Sequence, residues 1–233
     1  MTALALAAGG CTTFSNVRSA EVRAGPSVAL QAAISSTLGP ETGWFWSLDC
    51  ASACSYPVFG TDMGFTHGWP AGVAGRPAEL GLGVNGLYPY VDGYVQLGSG
   101  VRPFGVGARI GLPATSWFEH QLYGRYDVRI DERTRLLLNP ALFVHHGRAP
   151  NGESPGSFVA FVQGVGLLIE GERVSFTPAL AIVAGRAERT SYGVRYGPER
   201  SVFGTISLGV TFHRRASTSR QDQQNAQAVE WRQ

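Results

Sequence analysis

The sequence predicts an all-β chain closed into an antiparallel up-and-down transmembrane barrel of about ten strands, within a range of eight to twelve. Three observations carry that expectation. Apolar and polar or small residues alternate with period two from about residue 27 to 213, as strands with one buried face require. No run approaches the roughly 18 consecutive apolar residues that a spanning helix needs, so residence in a membrane has to be by strands or by an anchor. Tight charged turns alternate with longer stretches rich in Gly, Pro, Ser and Asn, the asymmetry of barrels that put short turns on one side of a membrane and long loops on the other.

Residues 1–26 read as a leader followed by a periplasmic segment. The opening, Met1-Thr-Ala-Leu-Ala-Leu-Ala-Ala-Gly-Gly-Cys11, is an apolar stretch that ends in small residues before a cysteine. It resembles the end of a lipoprotein signal peptide, which implies a lipidated Cys11. It lacks a basic segment ahead of the apolar one, and Ala8 stands where such signals carry leucine.

The strand signals then follow in order. Ser27–Ser35 places Val28, Leu30 and Ile34 on one face and Gln31 and Ser35 on the other. Weaker alternation occupies about 58–67, 79–87, 90–97, 102–112, 135–146, 157–170 and 173–187. Residues 121–130 set Leu122, Tyr126, Val128 and Ile130 against Gln121, Tyr123, Arg125, Asp127 and Arg129, and residues 201–212 set Val202, Ile206, Leu208, Val210 and Phe212 against Thr205, Ser207 and Thr211. Ten strands result, an even number, as single-chain bacterial barrels have.

The connections follow the same logic. Asp131–Thr134 and Glu170–Arg173 are tight turns, whereas 38–57, 147–156 and 187–200 are long and expected outside. The segment around Trp69–Arg76 is long for a turn on the inner side. Cys50 and Cys54, in a turn-rich stretch of the first long loop, are spaced for a small-loop disulfide in an oxidising compartment. No further ligands lie in that segment, so it predicts no metal site.

Aromatic residues near strand ends, among them Trp44, Trp46, Tyr88, Tyr90, Trp117, Phe118 and Tyr192, are placed where interfacial girdles sit. The last strand closes on the aromatic Phe212, which resembles the recognition signal of outer-membrane barrel assembly and implies that machinery as a partner during biogenesis. In that class the aromatic is commonly the final residue. Here residues 214–233 follow as a polar, Gln-rich tail without apolar periodicity, expected to be disordered in the periplasm.

Polarity decides which face looks where. The apolar faces around 104–112, 122–130 and 202–212 are nearly free of charge, as lipid contact demands. The opposite faces carry Glu79, Asp92, Gln96, Arg109, Arg125, Asp127, Arg129 and Asn139, expected to pair with one another in a narrow lumen. A soluble lipocalin-like barrel would reverse the faces, enclosing the apolar set around a ligand.

Taken together, residues 27–213 resemble the broad class of bacterial outer-membrane β-barrel proteins, the small barrels in particular, by pattern and without a specific motif. The resemblance implies an outer-membrane location with both termini periplasmic. It implies no activity.

Composition narrows the function further. Charged residues make up 15% of the chain, all 19 basic residues are arginine and the formal net charge is +2, which argues against nucleic acid as a partner. Catalysis would need a Ser/His/acid set near the rim. His145 and His146 precede a loop with Glu153, Ser154 and Ser157, and Glu119 and His120 begin another strand, without the His-x-Ser-Asn arrangement of lipid A deacylases. Gly81-Leu-Gly-Val-Asn-Gly86 echoes a phosphate loop but lies within strands, so no nucleotide or other cofactor is expected. Arg186, Arg189, Arg195 and Arg200, interleaved with tyrosines in the last long loop, are candidates for clamping lipopolysaccharide phosphates. The resulting expectation is a structural or surface-interaction barrel plugged by polar side chains. A narrow channel for small solutes is the alternative, followed by a lipid-modifying rim enzyme or a soluble ligand-binding barrel.

Overall fold

A computed structural model describes residues 17–37, 58–86, 88–98, 102–112, 117–147, 156–191 and 194–213. Ten strands run in chain order: β1 (Gly25–Thr37), β2 (Val58–Val73), β3 (Arg76–Asn85), β4 (Tyr88–Gln96), β5 (Phe104–Gly111), β6 (Trp117–Arg129), β7 (Thr134–Gly147), β8 (Gly156–Glu170), β9 (Val174–Ser191) and β10 (Val194–His213). Each pairs antiparallel with its chain neighbours. β1 also pairs with β10, from Ser27 opposite His213 to Thr37 opposite Phe203, and that seam closes the barrel. Closure removes every open edge, so no row of unpaired backbone groups is left.

The alternation of each strand resolves into an outer and an inner face. On β5 the odd-numbered residues from Gly105 to Gly111 are buried and the even-numbered ones, including Val106 and Ile110, are exposed. The outward set is mainly apolar, with Thr61, His67, His120, Gln163 and Arg186 as its polar members: Leu122, Leu180 and Ile206 are 61%, 61% and 67% exposed, with Phe65, Leu82, Phe161 and Ile182 beside them in the same band. An apolar belt around the whole circumference is far larger than water-soluble monomers present. The inward set is polar, and its buried members include Asp62, Asp92, Arg109, Arg125 and Asp127. This polarity is the reverse of a soluble ligand-enclosing barrel.

At one end lie the start of β1, the end of β10 and the short connections 74–75, 97–103, 130–133 and 171–173. This is the turn end. Trp69, Phe104, Phe176 and Phe212 face outward there and form an aromatic ring at the edge of the apolar belt. Tyr90, expected in such a girdle, points inward instead and is 3% exposed. Trp44, Trp46, Tyr192, and the side chains of Trp117 and Phe118, lie outside the described residues.

Two connections differ from expectation. β2 continues to Val73, so the long turn read around Trp69–Arg76 is a two-residue hairpin, with Ala74 and Gly75 at φ 49° and 73°. A left-handed pair of this kind matches the twist of the flanking strands. The stretch 187–200, expected as a loop, is largely paired strand: Arg189 stands opposite Tyr196 and Arg186 opposite Arg200, with one irregularity between Tyr196 and Glu199. Hydrogen bonding along the extended β9–β10 hairpin outweighs the turn-forming character of its glycines and proline.

The turn 130–133 is closed by the Asp131 carboxylate, which accepts the backbone N–H of Arg133 at 2.8 Å. That bond, with the Thr134 hydroxyl as a second donor, holds the Asp131 carboxyl below its ordinary value of 3.8. A depressed folded value means that the turn gains from the charged form above pH 3.8 and loses this as pH falls through the lowered value. An NMR titration of the Asp131 carboxyl in micelles is expected to show a midpoint below that of Asp131 in an unfolded peptide, and an equal midpoint would remove the turn bond.

Candidate functional site

Inward-facing side chains of a ten-stranded barrel leave more room than those of an eight-stranded one, where they just fill the interior. Here the extra width at the turn end is taken by the chain itself. Residues 17–24, ahead of β1 and without secondary structure, lie inside the lumen as an extended strap; Val17 is 4% exposed and Ala20 is fully buried. Residues 17–24 therefore lie within the lumen, and the first strand begins at Gly25.

The wall grips the strap by its backbone. Asp127 accepts the N–H of Ala20 at 2.8 Å and the Ser19 hydroxyl at 2.5 Å, and the Gln96 carbonyl oxygen accepts the N–H of Val22 at 2.8 Å. Tyr94 donates its hydroxyl to the carbonyl of Ala20 at 2.9 Å, and Asn139 donates to that of Arg18 at 3.0 Å. Every backbone group so bonded is one that burial would otherwise leave without water. Charged pairs add to this: Arg18 lies 3.7 Å from Asp62, Arg23 lies 2.6 Å from Glu170, and Glu21 pairs with Arg135.

Val17 packs on Leu137, Leu168 and Ala179. It fits because β8 is bare there: a Cβ at Gly164 or Gly166 would stand 2.7 Å from its methyl groups. Gly166→Val is accordingly expected to lift the strap out while preserving strand propensity. Trypsin digestion of the folded protein checks this, because Arg18 is shielded when the strap is seated. The variant should be cut after Arg18 at least tenfold faster, the effect of about 1.4 kcal/mol, and equal rates would place the strap elsewhere.

Above the strap, two arginines anchor a charged network. Arg109, 1% exposed, donates to Asp62 at 2.6 Å, lies 3.6 Å from Asp92, and stacks 3.7 Å over the Tyr90 ring. Tyr90 in turn donates its hydroxyl to Asp62 at 2.7 Å. Arg125 sits 3.4 Å from Glu79 and 4.0 Å from Asp92, with its guanidinium against the rings of Tyr94 and Tyr123. Tyr123 hydrogen-bonds Asp92. Buried ion pairs roughly break even against desolvation, so what this network supplies is a specific arrangement held by partners that cannot be removed singly.

The sequence-predicted lumen residues thus fall into two groups. Glu79, Asp92, Gln96, Arg109, Arg125, Asp127 and Asn139 converge on the strap and on the network above it. Arg129 does not: it is exposed and donates to the carbonyls of Asp131 and Glu132 in the turn. Its strand ends there, and the alternation that would turn it inward ends with it.

Asp62, Asn85, Arg135 and the strap residues were missed, and Glu119 was read at the rim rather than in the lumen. Asp62 and Asn85 lie on strands whose alternation is diluted by glycine, and on β2 the inward Gly64 and Gly68 were the available signal, since a Cβ there would meet Arg18, Val22 and Arg23 of the strap.

Glu119 is buried in the lumen and accepts from Asn85 at 2.8 Å. His120 follows it on the opposite face, so the two do not converge. The side chains of His145, His146 and Ser157, and residues 153 and 154, lie outside the described residues, as do Cys11, Cys50, Cys54 and the tail 214–233. Arg186 is exposed on the outer face of β9, and the side chains of Arg189, Arg195 and Arg200 are outside the described set.

These features define a closed ten-stranded antiparallel β-barrel with an apolar exterior and a polar, strap-filled lumen. Among solved structures, the chain is similar to Neisserial surface protein A, at 12% identity over 81% of this chain and 97% of that one, with a TM-score of 0.36. It is also similar to the NanC porin, at 9% identity over 79% of this chain and 100% of that one, with a TM-score of 0.34. No protein-family model and no curated protein matches the chain.

Proposed function

We infer that the protein spans a bacterial outer membrane, with the turn end and both termini toward the periplasm, and that it serves a structural or surface-interaction role with a lumen closed by its own residues. The observation that carries this is the inverted polarity of the barrel: an uncharged apolar belt outside, and a network of buried charges inside. In water the belt would be exposed at the cost of the hydrophobic effect, whereas lipid covers it. The strap and the network together fill the section at the turn end, which favours a closed barrel over an open channel at rest.

At the opposite end, β9 and β10 run beyond the belt and bring Arg186, Arg189, Arg195 and Arg200 onto one hairpin. In this orientation the hairpin stands at the outer headgroups, where guanidinium groups pair with lipopolysaccharide phosphates. A lipid on Cys11 and a Cys50–Cys54 disulfide accompany this reading, and it assigns no catalytic residue.

The test is electrophoresis of protein from washed outer membranes, boiled and unboiled. A faster-migrating unboiled band in that fraction is expected. A heat-insensitive protein in the soluble fraction would overturn the reading.

A further inference from the structure

We propose that the barrel is a gated conduit for small monovalent cations, with residues 17–24 as its removable plug and the inward faces of β2–β6 as its path. This rests on the membrane-spanning reading above.

The lumen is divided lengthwise. Facing inward from β7–β10, Phe143, Val162, Val183 and Phe203 pack into an apolar cluster that the rings of Tyr94 and Tyr123 join from the other wall. The other wall is polar along its length, from Glu79 and Arg125 near the turn end, through Asp92, Asp62 and Arg109, to Glu119 toward the far end. Four polar atoms along this seam are buried without a hydrogen-bond partner in the protein: Asp92 Oδ2, Arg109 Nε, Arg109 Nη2 and Glu119 Oε2. Asp92 Oδ2 and Arg109 Nη2 face each other at 3.6 Å, whereas Arg109 Nε and Glu119 Oε2 need a donor or acceptor that the wall does not supply, a need that water meets. The seam is therefore a polar line that takes water at Arg109 and Glu119.

The strap stops this line at the turn end. A cavity of about 60 Å³ beside it, lined by Arg18, Ser27, Thr66 and Ser175, already brings polar space up to the Arg18 guanidinium. What holds the strap is mostly polar: its backbone and charged bonds can be exchanged for water, and its buried apolar contacts centre on Val17. Its departure uncovers only the patch of Leu137, Leu168 and Ala179 beneath Val17 and the contact of Val22 with the main apolar cluster.

Charge sets the selectivity. Along the seam, Asp62, Glu79, Asp92 and Glu119 face Arg109 and Arg125, so carboxylates outnumber guanidiniums two to one. The seated strap adds Arg18 against Asp62 and offsets part of that surplus. Withdrawal of the strap removes this cation from the path and leaves an acidic line, which admits cations and repels anions.

The experiment is single-channel recording in planar bilayers under a KCl gradient. Full-length protein, first shown to be folded by its band shift, is compared with a variant lacking residues 17–24 and with Asp127→Ala, which removes two strap bonds and leaves the chain intact. The full-length protein should be closed for nearly all of the record. The strapless variant should conduct, with a reversal potential displaced toward that of potassium, and Asp127→Ala should open at least tenfold more often than the full-length protein. If the deletion does not fold, Asp127→Ala decides alone. Silence of the folded variants, anion preference, or full conductance with the strap in place would each overturn the proposal. A band-shifted native protein with silent variants fails this proposal only, whereas a soluble, heat-insensitive protein fails the membrane reading beneath it.

Discussion

Asp62→Ala is expected to destabilise the barrel by about 3–5 kcal/mol, the cost of stranding a buried charge. Asp62 accepts from Arg109 at 2.6 Å and from Tyr90 at 2.7 Å, and it lies 3.7 Å from Arg18. Without it Arg109, 1% exposed, keeps only the more distant Asp92 and the Tyr90 ring. Urea unfolding in lipid vesicles, followed by loss of the fast-migrating band, measures the effect. The double replacement Asp62→Leu with Arg109→Met should recover much of the loss, because a paired charge and an apolar pair of similar volume differ little in net stability. A single-variant cost below about 1 kcal/mol would mean that solvent screens the network as it does a surface pair.

Ile206→Arg is expected to cost about 2–4 kcal/mol in a bilayer, the depth-dependent penalty for arginine on a lipid face near the midplane. Ile206 stands opposite Leu180 on the neighbouring strand, both outward and 67% and 61% exposed. In water the same replacement would be nearly neutral, since it exchanges one exposed side chain for another. The size of the effect in vesicles therefore separates lipid contact from solvent contact. A cost within about 0.5 kcal/mol, the usual range for exposed positions, would sink the membrane assignment while leaving the barrel intact.

The outer face was legible because it obeys a local rule. On β6, Leu122 outward and Gln121, Tyr123, Arg125 and Asp127 inward follow from alternation alone, and neighbours on other strands only confirm it. The same rule correctly turned Val202, Ile206 and Leu208 to the outside of β10. It failed where the periodic signal is weak or stops. Tyr90 looked like a girdle residue because nothing in its own strand distinguishes an aromatic near the interface from one aimed at Asp62, and Arg129 was assigned inward although it is the last residue of its strand, where the turn takes it up.

The strap was beyond any local rule. Val17–Ala24 has no alternation and no apolar run, and its partners Gln96, Asp127, Asn139 and Glu170 are 74 to 147 residues away in the chain. Its position follows from the volume left inside ten strands and from glycines at 164 and 166, which matter only once the strands bearing them have closed into a wall.

By itself, then, the sequence determined that the chain forms about ten strands and which side chains of each face out, because the two-residue period of a strand ties side-chain direction to position. Only the tertiary structure decided what occupies the lumen and which acid meets which arginine. Those contacts join residues through closure of the sheet, and pairing inside a lumen depends on distance and volume, which no period in the chain encodes.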